Sequence, residues 1–270
     1  MKLGITLPSF RDDPEAALTV AAAAEASGLD GVFLYDHLFR RATDGERRPA
    51  LELLSMMGAV AAETRRLAVG SLVARATLRP PAVLASGLDT VVRIAGPGRV
   101  LAGLGAGDGE SEEEMVSFGF DFGDVPSRVA ALRDAIDVTR DRGYPVWVGG
   151  TDPRVVEVAA AHADGWNRWG GGAKSFRAQA EALRAAAARS PFTISWGGLA
   201  VLGASDEDAA VKAERLQPSR GAMIGGPKAV AAGLQRFVDA GAEWIIVGPV
   251  DSGDAENARM LGELVAPLLA

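Results

Sequence analysis

The chain has 270 residues, a formal net charge of −7 and no cysteine, which excludes disulfides and thiol catalysis. Its basic residues are dispersed among acidic ones, so we expect neither a nucleic-acid nor a membrane partner. With only two histidines, His37 and His162, a multi-histidine metal centre is disfavoured. The amino terminus lacks a signal-peptide pattern and no run of about 18 apolar residues occurs, which predicts a cytoplasmic protein acting on small molecules.

Short apolar runs alternate with helix-compatible stretches along the whole chain. The predicted strands are Leu3–Leu7, Gly31–Tyr35, Leu67–Val73, Gly98–Gly105, Val146–Val148, Gly165–Asn167, Thr193–Leu202 and Trp244–Val247. The predicted helices are Pro14–Ala26, Leu51–Ala62, Ala82–Ile94, Arg128–Arg140, Val155–Ala163, Ser175–Ala188, Ala229–Ala240 and Ala255–Leu269. Eight such repeats predict an α/β fold, a single-domain (β/α)8 TIM barrel over residues 1–270. A doubly wound sheet is the alternative, but it usually has fewer strands.

Barrels of this kind place their active site at the carboxyl ends of the strands. The strand Gly31–Tyr35 delivers Asp36 and His37 there, an acid and an imidazole that are suited to proton transfer. Taken alone, such a pair is more often a loop cap beside a surface histidine, and that alternative stays open. Asp108 and Glu110 also follow a strand, so a hydrolase with paired carboxylates is a second class to consider.

Two glycine-rich segments follow other strands. Gly103–Gly107 permits close approach of the backbone to a ligand, although packing of small residues in the barrel explains it equally well. Gly149-Gly150-Thr151 leaves a strand and enters a helix, which predicts an anion site, most simply for phosphate, with Thr151 and Arg154 as side-chain ligands. The alternative is a plain turn in which Thr151 or Asp152 caps the helix.

Aromatic and acidic residues complete the inventory of candidates. Trp147, Trp166 and Trp244 lie in predicted strands and are expected in the core. Trp169 and Trp196 are candidates for an aromatic wall at the barrel mouth. The acidic run that includes Glu110 and Glu112–Glu114 predicts a solvated surface.

The order of several motifs resembles the luciferase-like flavin and deazaflavin oxidoreductases, the bacterial luciferase superfamily. The segments that carry the resemblance are Glu25–Val32 leading to Asp36-His37, Ala61–Thr64, Arg79–Pro81, Leu88–Thr90, Gly98-Arg99, Gly103–Gly107, Phe118-Gly119, Val148–Gly150, Ala163–Asn167 and Asp239–Ala242. The resemblance implies a barrel whose mouth holds the deazaflavin F420 or, alternatively, FMN. F420 is favoured because Asp164–Asn167 is more similar to the F420-using branch.

Site roles follow from the resemblance as expectations. It implies a non-proline cis peptide between Leu72 and Val73 under the cofactor ring, with Asp36 and His37 facing the reactive ring carbon. The candidate catalytic residues are His37, Asp36 and Asp108, and the candidate cofactor-binding residues are Leu72, Val73, Gly107, Asp108, Gly149, Gly150, Thr151 and Arg154. The implied reaction is hydride transfer between F420 and a small organic substrate, with His37 or Asp108 moving the proton. With FMN it would be a monooxygenase reaction.

The resemblance also implies a homodimer, and a barrel that binds a cofactor with little catalysis of its own is the third class kept open. Two departures from the family pattern concern the substrate. The segment around Gln217–Pro227 is short, and Arg41 stands where some sugar-phosphate-oxidising relatives have an aromatic residue. We therefore do not predict a sugar phosphate as the substrate.

Overall fold

Eight parallel strands close into a barrel in the computed structural model, which describes residues 1–41 and 45–269, without the side chain of Glu110. The barrel strands are β1 Lys2–Thr6, β2 Gly31–Leu34, β3 Ala68–Ser71, β4 Val100–Gly105, β5 Val146–Gly149, β6 Gly165–Trp169, β7 Thr193–Leu202 and β8 Trp244–Pro249. Each strand pairs with the next one, and β1 pairs with both β2 and β8. The predicted (β/α)8 barrel is therefore confirmed.

Helices surround the barrel and cover its outer face. They are α1 Glu15–Ala26, α2 Leu53–Glu63, α3 Pro81–Ala95, α4 Glu112–Ser117, α5 Val125–Arg140, α6 Pro153–His162, α7 Ala173–Ala186, α8 Asp206–Leu216, α9 Pro227–Val238 and α10 Glu256–Arg259. Among the described residues, no helix combines the length and apolarity that crossing a membrane requires.

Aromatic side chains fill the barrel interior. Phe33, Trp147 and Trp244 pack together there, and the Phe33 and Trp244 rings meet edge to face with centroids 5.6 Å apart. A Cβ atom on Gly4 or Gly70 would collide with the Phe33 ring, so small residues on adjacent strands make room for it. Because these rings fill the barrel interior, the space for a ligand lies at the carboxyl ends of the strands. The core positions predicted for Trp147, Trp166 and Trp244 are confirmed.

Several elements, helix α4 among them, were not predicted from the sequence. Strands Phe39–Arg41 and Arg47–Pro49 form an antiparallel hairpin after β2, and helix α8 follows β7. The short segment near Gln217–Pro227 contains strand Met223–Gly225, which pairs with the end of β7. These elements are short or strongly polar, so apolar periodicity gives no signal for them.

The last predicted helix is also different from a regular α-helix. After α10 the chain continues as a π-helix over Met260–Val265 and a 3-10 turn over Ala266–Leu268. The Ser27 hydroxyl donates to the Ala258 carbonyl at 3.0 Å, an oxygen that a regular helix would pair with the Gly262 N–H. Packing against the end of α1 therefore shifts the hydrogen-bond spacing.

Candidate active site

A cavity of about 600 Å³ opens at the carboxyl ends of the barrel strands. Nine of the ten candidate residues contribute to its wall: Asp36, His37, Leu72, Val73, Gly107, Asp108, Gly149, Gly150 and Thr151. Arg154 is the exception. The rest of the wall includes Tyr35 after β2, Arg75 after β3, and Asn167 and Trp169 at the end of β6.

His37 is held by a buried carboxylate that the sequence analysis had assigned to the surface. Its Nδ1 atom lies 2.7 Å from Oε1 of Glu114 in α4, and Glu114 is only 3% exposed. The second oxygen, Oε2, accepts the backbone N–H of Leu38 at 2.7 Å and lies 3.0 Å from Nη2 of Arg75. Glu114 therefore fixes both the imidazole and the backbone that follows it.

The prediction of a solvated face is wrong for Glu114 and right for its neighbours. Glu112 and Glu113 are exposed, and Glu113 pairs with Arg41 and Arg47 of the hairpin. Helical periodicity turns Glu114, together with Met115, toward the barrel. The side chain of Glu110 lies outside the described part of the structure.

The environment of Glu114 keeps it ionised. Burial opposes the charge, but the hydrogen bonds from His37, from the Leu38 N–H and from Arg75 outweigh it and lower the pKa of Glu114 to about 2. An ionised carboxylate can only accept hydrogen bonds. The hydrogen in the contact between His37 and Glu114 is therefore on Nδ1, and Nε2 of a neutral His37 carries a free lone pair.

Asp36 lies in the cavity wall, but its carboxylate is fully engaged. Arg79 donates to both of its oxygens, at 2.8 and 3.1 Å, and the Arg75 N–H donates to Oδ2 at 2.8 Å. The Arg75 guanidinium binds the Asp36 carbonyl oxygen at 2.6 and 2.8 Å. A carboxylate held in this way positions the loop that carries His37 and is poorly placed to act as a hydrolytic nucleophile or acid. This disfavours the alternative of a hydrolase with paired carboxylates, because Asp36 is not available as one of the pair.

The expected cis peptide between Leu72 and Val73 is present. The Val73 methyl groups occupy the space above two glycines, because a Cβ atom on Gly105 or Gly149 would collide with them. Gly105 and Gly149 are therefore explained by the space that the Val73 side chain needs, and not by contact with a ligand. Leu72 and Val73 form an apolar ledge on the cavity wall.

Gly107 and Asp108 line the cavity after the neighbouring strand β4. Gly107 has a φ of 75°, a left-handed conformation that favours glycine. Asp108 is exposed, and its Oδ1 accepts the Ser111 hydroxyl at 3.1 Å. Its other oxygen has no partner among the described residues, which leaves Asp108 available to a ligand.

The predicted phosphate turn is only partly as expected. Gly149, Gly150 and Thr151 line the cavity, but the Gly150 N–H donates to the Asn167 carbonyl at 3.3 Å. Asp152 caps α6 by accepting the Arg154 N–H at 2.9 Å, which confirms the capping alternative. Thr151 has no hydrogen-bond partner among the described residues and is open to a ligand.

Arg154 lies outside the cavity wall, and its expected role as a ligand for the phosphate stays a prediction. Its guanidinium binds Asp152, with Nε 3.0 Å from Oδ1 and Nη2 2.9 Å from Oδ2, and it is absent from the cavity wall. Hydrogen bonds from Arg154 lower the pKa of Asp152 to about 2, so this carboxylate is charged at neutral pH. The turn therefore offers an anion one hydroxyl and backbone N–H groups, beside a competing carboxylate.

Of the two tryptophans expected at the mouth, only Trp169 is there. It lines the cavity and is 37% exposed. Trp196 is 3% exposed and stacks on Phe237 of α9 with centroids 3.8 Å apart, so its predicted place in the aromatic wall is wrong. Trp196 faces outward because it pairs in register with Arg168, while Asn167 and Trp169 on the same strand face the cavity.

These features define a class of protein: a (β/α)8 barrel with a cavity at its carboxyl face, whose wall includes the apolar residues Leu72 and Val73 and a carboxylate-held imidazole. The family model for luciferase-like monooxygenases matches residues 1–142 and 139–243. The chain therefore belongs to the luciferase-like monooxygenase family.

Curated relatives are similar over part of their length. An F420-dependent glucose-6-phosphate dehydrogenase of Microbacterium testaceum is 32% identical over 150 residues, which is 55% of this chain and 42% of the relative. The enzyme of the same name from Nakamurella multipartita is 30% identical over 202 residues, which is 65% of this chain and 58% of the relative. The chain thus spans about half the length of the curated relatives it matches.

Among solved structures, an F420-dependent secondary alcohol dehydrogenase in complex with an F420-acetone adduct has the same fold. Its TM-score is 0.82 at 17% sequence identity, covering 100% of this chain and 99% of that one. At this identity, the similarity establishes the architecture alone.

Proposed function

We propose that this chain is an F420-dependent oxidoreductase that transfers a hydride between the deazaflavin and a small organic substrate. The curated relatives are named for F420, which supports this cofactor over FMN. When bound, the deazaflavin ring supplies the carbon that gives or accepts the hydride. The observation that carries the proposal is His37, which stands in the cavity wall with Nδ1 held by Glu114 and Nε2 free of any partner among the described residues.

The cavity suits a planar ring system. Its volume of about 600 Å³ lies within the usual range for small-molecule sites. Leu72 and Val73 would support one face of the ring, and the backbone of Gly107 would run along its edge. Nine of the 18 wall residues have polar or charged side chains, and four of these are buried: Asp36, Arg75, Ser111 and Asn167.

His37 would move the proton that accompanies the hydride. Its Nε2 lone pair can accept a proton from a substrate hydroxyl when the substrate is oxidised, and the protonated ring can return it to a carbonyl oxygen in the reverse direction. Glu114 acts as a positioning residue, because it fixes the tautomer and the orientation of the imidazole without facing the cavity itself. Asp36 positions the same loop through Arg75 and Arg79.

Asp108 is the second candidate for proton transfer. It is exposed at the cavity edge and keeps one carboxylate oxygen free among the described residues. The geometry favours His37 as the carrier, because its orientation is fixed by a buried partner whereas Asp108 is held only by the Ser111 hydroxyl.

Thr151 would meet the phosphate of the cofactor tail. The support for this role is its place in the cavity wall at the start of α6, where backbone N–H groups and the helix dipole favour an anion. Arg154 is not part of this proposal, since Asp152 holds its guanidinium.

The test compares His37→Asn with Asp108→Asn. The asparagine amide can still donate to Glu114 from the position of Nδ1, but it has no group in place of Nε2. We expect His37→Asn to lower F420-dependent turnover of a panel of alcohols and ketones by about 10²- to 10⁴-fold, with the F420 dissociation constant unchanged.

Equal loss of turnover and cofactor affinity in His37→Asn would show that His37 is a binding residue. Full activity in His37→Asn, with the loss appearing in Asp108→Asn instead, would move the proton transfer to Asp108. Oxygen consumption with reduced FMN, in the absence of any F420 turnover, would identify the flavin monooxygenase reaction of the same family. Binding of F420 without turnover of any compound would favour a barrel that only binds the cofactor.

A further inference from the structure

The side of the cavity next to His37 is aromatic. Trp169 meets Tyr35 edge to face, with ring centroids 6.0 Å apart and planes at 87°. Tyr35 lies 6.4 Å from the His37 ring and 6.2 Å from the Phe10 ring, and Phe10 lies 5.3 Å from His37. Burial raises the pKa of Tyr35 to about 12, so its hydroxyl remains neutral. A substrate that reaches His37 therefore passes along uncharged rings.

Trp169 is fixed in place by two neighbouring strands. Gly197 of β7 lies opposite Trp169 in the register, and a Cβ atom there would come within 2.6 Å of the indole ring. A Cβ atom on Gly248 of β8 would come within 2.9 Å of the same ring. The two glycines leave space for the indole, which covers the backbone of β7 at Gly197 and of β8 at Gly248 and still leaves part of its surface exposed.

The position of Trp169 disfavours anionic ligands in its neighbourhood. In (β/α)8 barrels, the loops after the seventh and eighth strands frequently form a phosphate site. Here the indole lies against Gly197, within β7, and against Gly248, one residue before the end of β8. An anionic group placed next to Trp169 would meet an aromatic surface in place of free backbone N–H groups.

The charges of the described cavity wall also oppose an anionic substrate. Arg75 is the one arginine of that wall, and it is 3% exposed; Nε and Nη2 of its guanidinium are bound by Asp36 and Glu114, whereas the buried Nη1 has no partner among the described residues. Asp108 and Asp152 are the carboxylates that face the opening. Asp152 is paired with Arg154, whereas Asp108 has no arginine partner among the described residues and would repel a phosphate dianion.

One basic side chain lies near the aromatic rings, but it does not offset the negative charge of the cavity wall. Arg40 lies with its guanidinium 5.6 Å from the centroid of Phe10, and it is exposed and absent from the cavity wall. Its charge acts on Tyr35, where it opposes the effect of burial on the pKa, but the side chain is exposed to solvent, where salt screens it.

We infer that the substrate is an uncharged organic compound with an apolar, preferably aromatic, body and one hydroxyl or carbonyl group. Its body packs on Trp169, and its oxygen points to Nε2 of His37. For an alcohol, the carbon loses a hydride to the oxidised deazaflavin and the hydroxyl loses its proton to Nε2. The alcohol is thereby oxidised by two electrons to the carbonyl compound, and the deazaflavin is reduced. The reaction rests on the proposed function, whereas the substrate-binding wall does not depend on it.

Two probes test the wall directly: acetophenone, which is neutral and aromatic, and glucose 6-phosphate, which is polar and doubly charged. Binding is followed through the indole N–H resonances of protein labelled with ¹⁵N-tryptophan, alone and saturated with F420. The Trp169 resonance is identified by its absence in Trp169→Phe. We expect acetophenone to shift this resonance in a saturable way and glucose 6-phosphate to leave it unchanged.

Two variants of Trp169 and one control variant distinguish the contribution of the Trp169 ring to binding from general effects on folding. Trp169→Ala should weaken acetophenone binding, measured by calorimetry, by about tenfold or more, because it removes the stacking surface. Trp169→Phe keeps an aromatic ring and should weaken it by only about two- to threefold. Phe118→Ala is the matched control, since Phe118 is an exposed aromatic residue outside the cavity wall and its removal should have no effect.

Three results would overturn the inference: saturable binding of glucose 6-phosphate next to Trp169, acetophenone binding that is equal in wild type and Trp169→Ala, or no acetophenone binding with or without F420. Failure of F420 to bind is a different outcome and contradicts the proposed function alone. In that case the acetophenone result on the protein without cofactor still decides the nature of the wall.

Discussion

Glu114→Gln is the most informative single substitution, because it keeps the shape of a side chain that holds His37 and removes its charge. The carboxylate accepts His37 Nδ1 and the Leu38 N–H, both at 2.7 Å, and pairs with Arg75 at 3.0 Å. A glutamine oxygen can accept only part of this set, and its NH₂ group would face another donor. Arg75 would lose its one carboxylate partner within the described residues.

The magnitude follows from the pKa of Glu114. Its lowering from 4.5 to about 2 corresponds to about 3 kcal/mol of stability, at about 1.4 kcal/mol for each pH unit. Because the pKa is lower in the folded state, this stability is fully present above about pH 4.5 and is lost as the pH falls toward 2. We expect Glu114→Gln to reduce the free energy of unfolding by about 3 kcal/mol at pH 7 and by about half as much at pH 3.

Urea unfolding at pH 7, 5 and 3 measures this difference. Glu113→Gln is the matched control, since Glu113 is the exposed neighbour and pairs with Arg41 and Arg47 at the surface. Its unfolding midpoint should stay close to that of wild type at each pH. If Glu114→Gln were as stable as Glu113→Gln at pH 7, or if its deficit were the same at pH 7 and pH 3, Glu114 would not be the buried, ionised partner of His37.

Two further substitutions test neighbouring parts of the site. Asp36→Asn should lower the free energy of unfolding by about 3 kcal/mol, because it leaves the partly buried Arg79 with Glu52 as its only carboxylate among the described residues. Thermal unfolding measures this loss, and a melting temperature equal to that of wild type would refute it. Thr151→Val should weaken F420 binding by about three- to tenfold through loss of one hydrogen bond to the phosphate. It should leave binding of the tail-free deazaflavin unchanged, and an equal loss for both compounds would place Thr151 at the ring instead.

The barrel was predictable because its strands are buried on both faces. Runs such as Gly31–Leu34 are continuous and apolar, and each is followed by a helix of ordinary length, so the count of eight could be read directly. The hairpin at Phe39–Arg41 and Arg47–Pro49 was missed because four of its six residues are exposed arginines in strands too short to show a period. The homodimer implied by the family resemblance stays a prediction.

The site was predictable where its residues follow strands directly. Asp36, His37 and Asp108 reach the cavity for this reason. Glu114 was missed because it comes from a helix after the strand, within an acidic run whose composition is typical of a surface. Its signal is the helical period, which separates Glu114 from Glu112 and Glu113, but that period becomes useful only once the boundaries of α4 are known.

The two tryptophans show how one residue of register decides a role. Trp169 and Trp196 both lie near strand ends, and composition cannot separate them. The pairing of Trp196 with Arg168 places both on the outer face, whereas Trp169 follows one residue later and turns inward. The strand register, which the sequence alone leaves open, is therefore what assigns Trp169 to the cavity and Trp196 to the core.

Equilibrium titration of the protein with F420 and, separately, with FMN tests the proposed cofactor most directly. We expect saturable F420 binding with one site per chain, a perturbed deazaflavin absorbance band, and markedly weaker binding of FMN. Saturable binding of FMN with no binding of F420 would contradict the account and assign the cavity to a flavin.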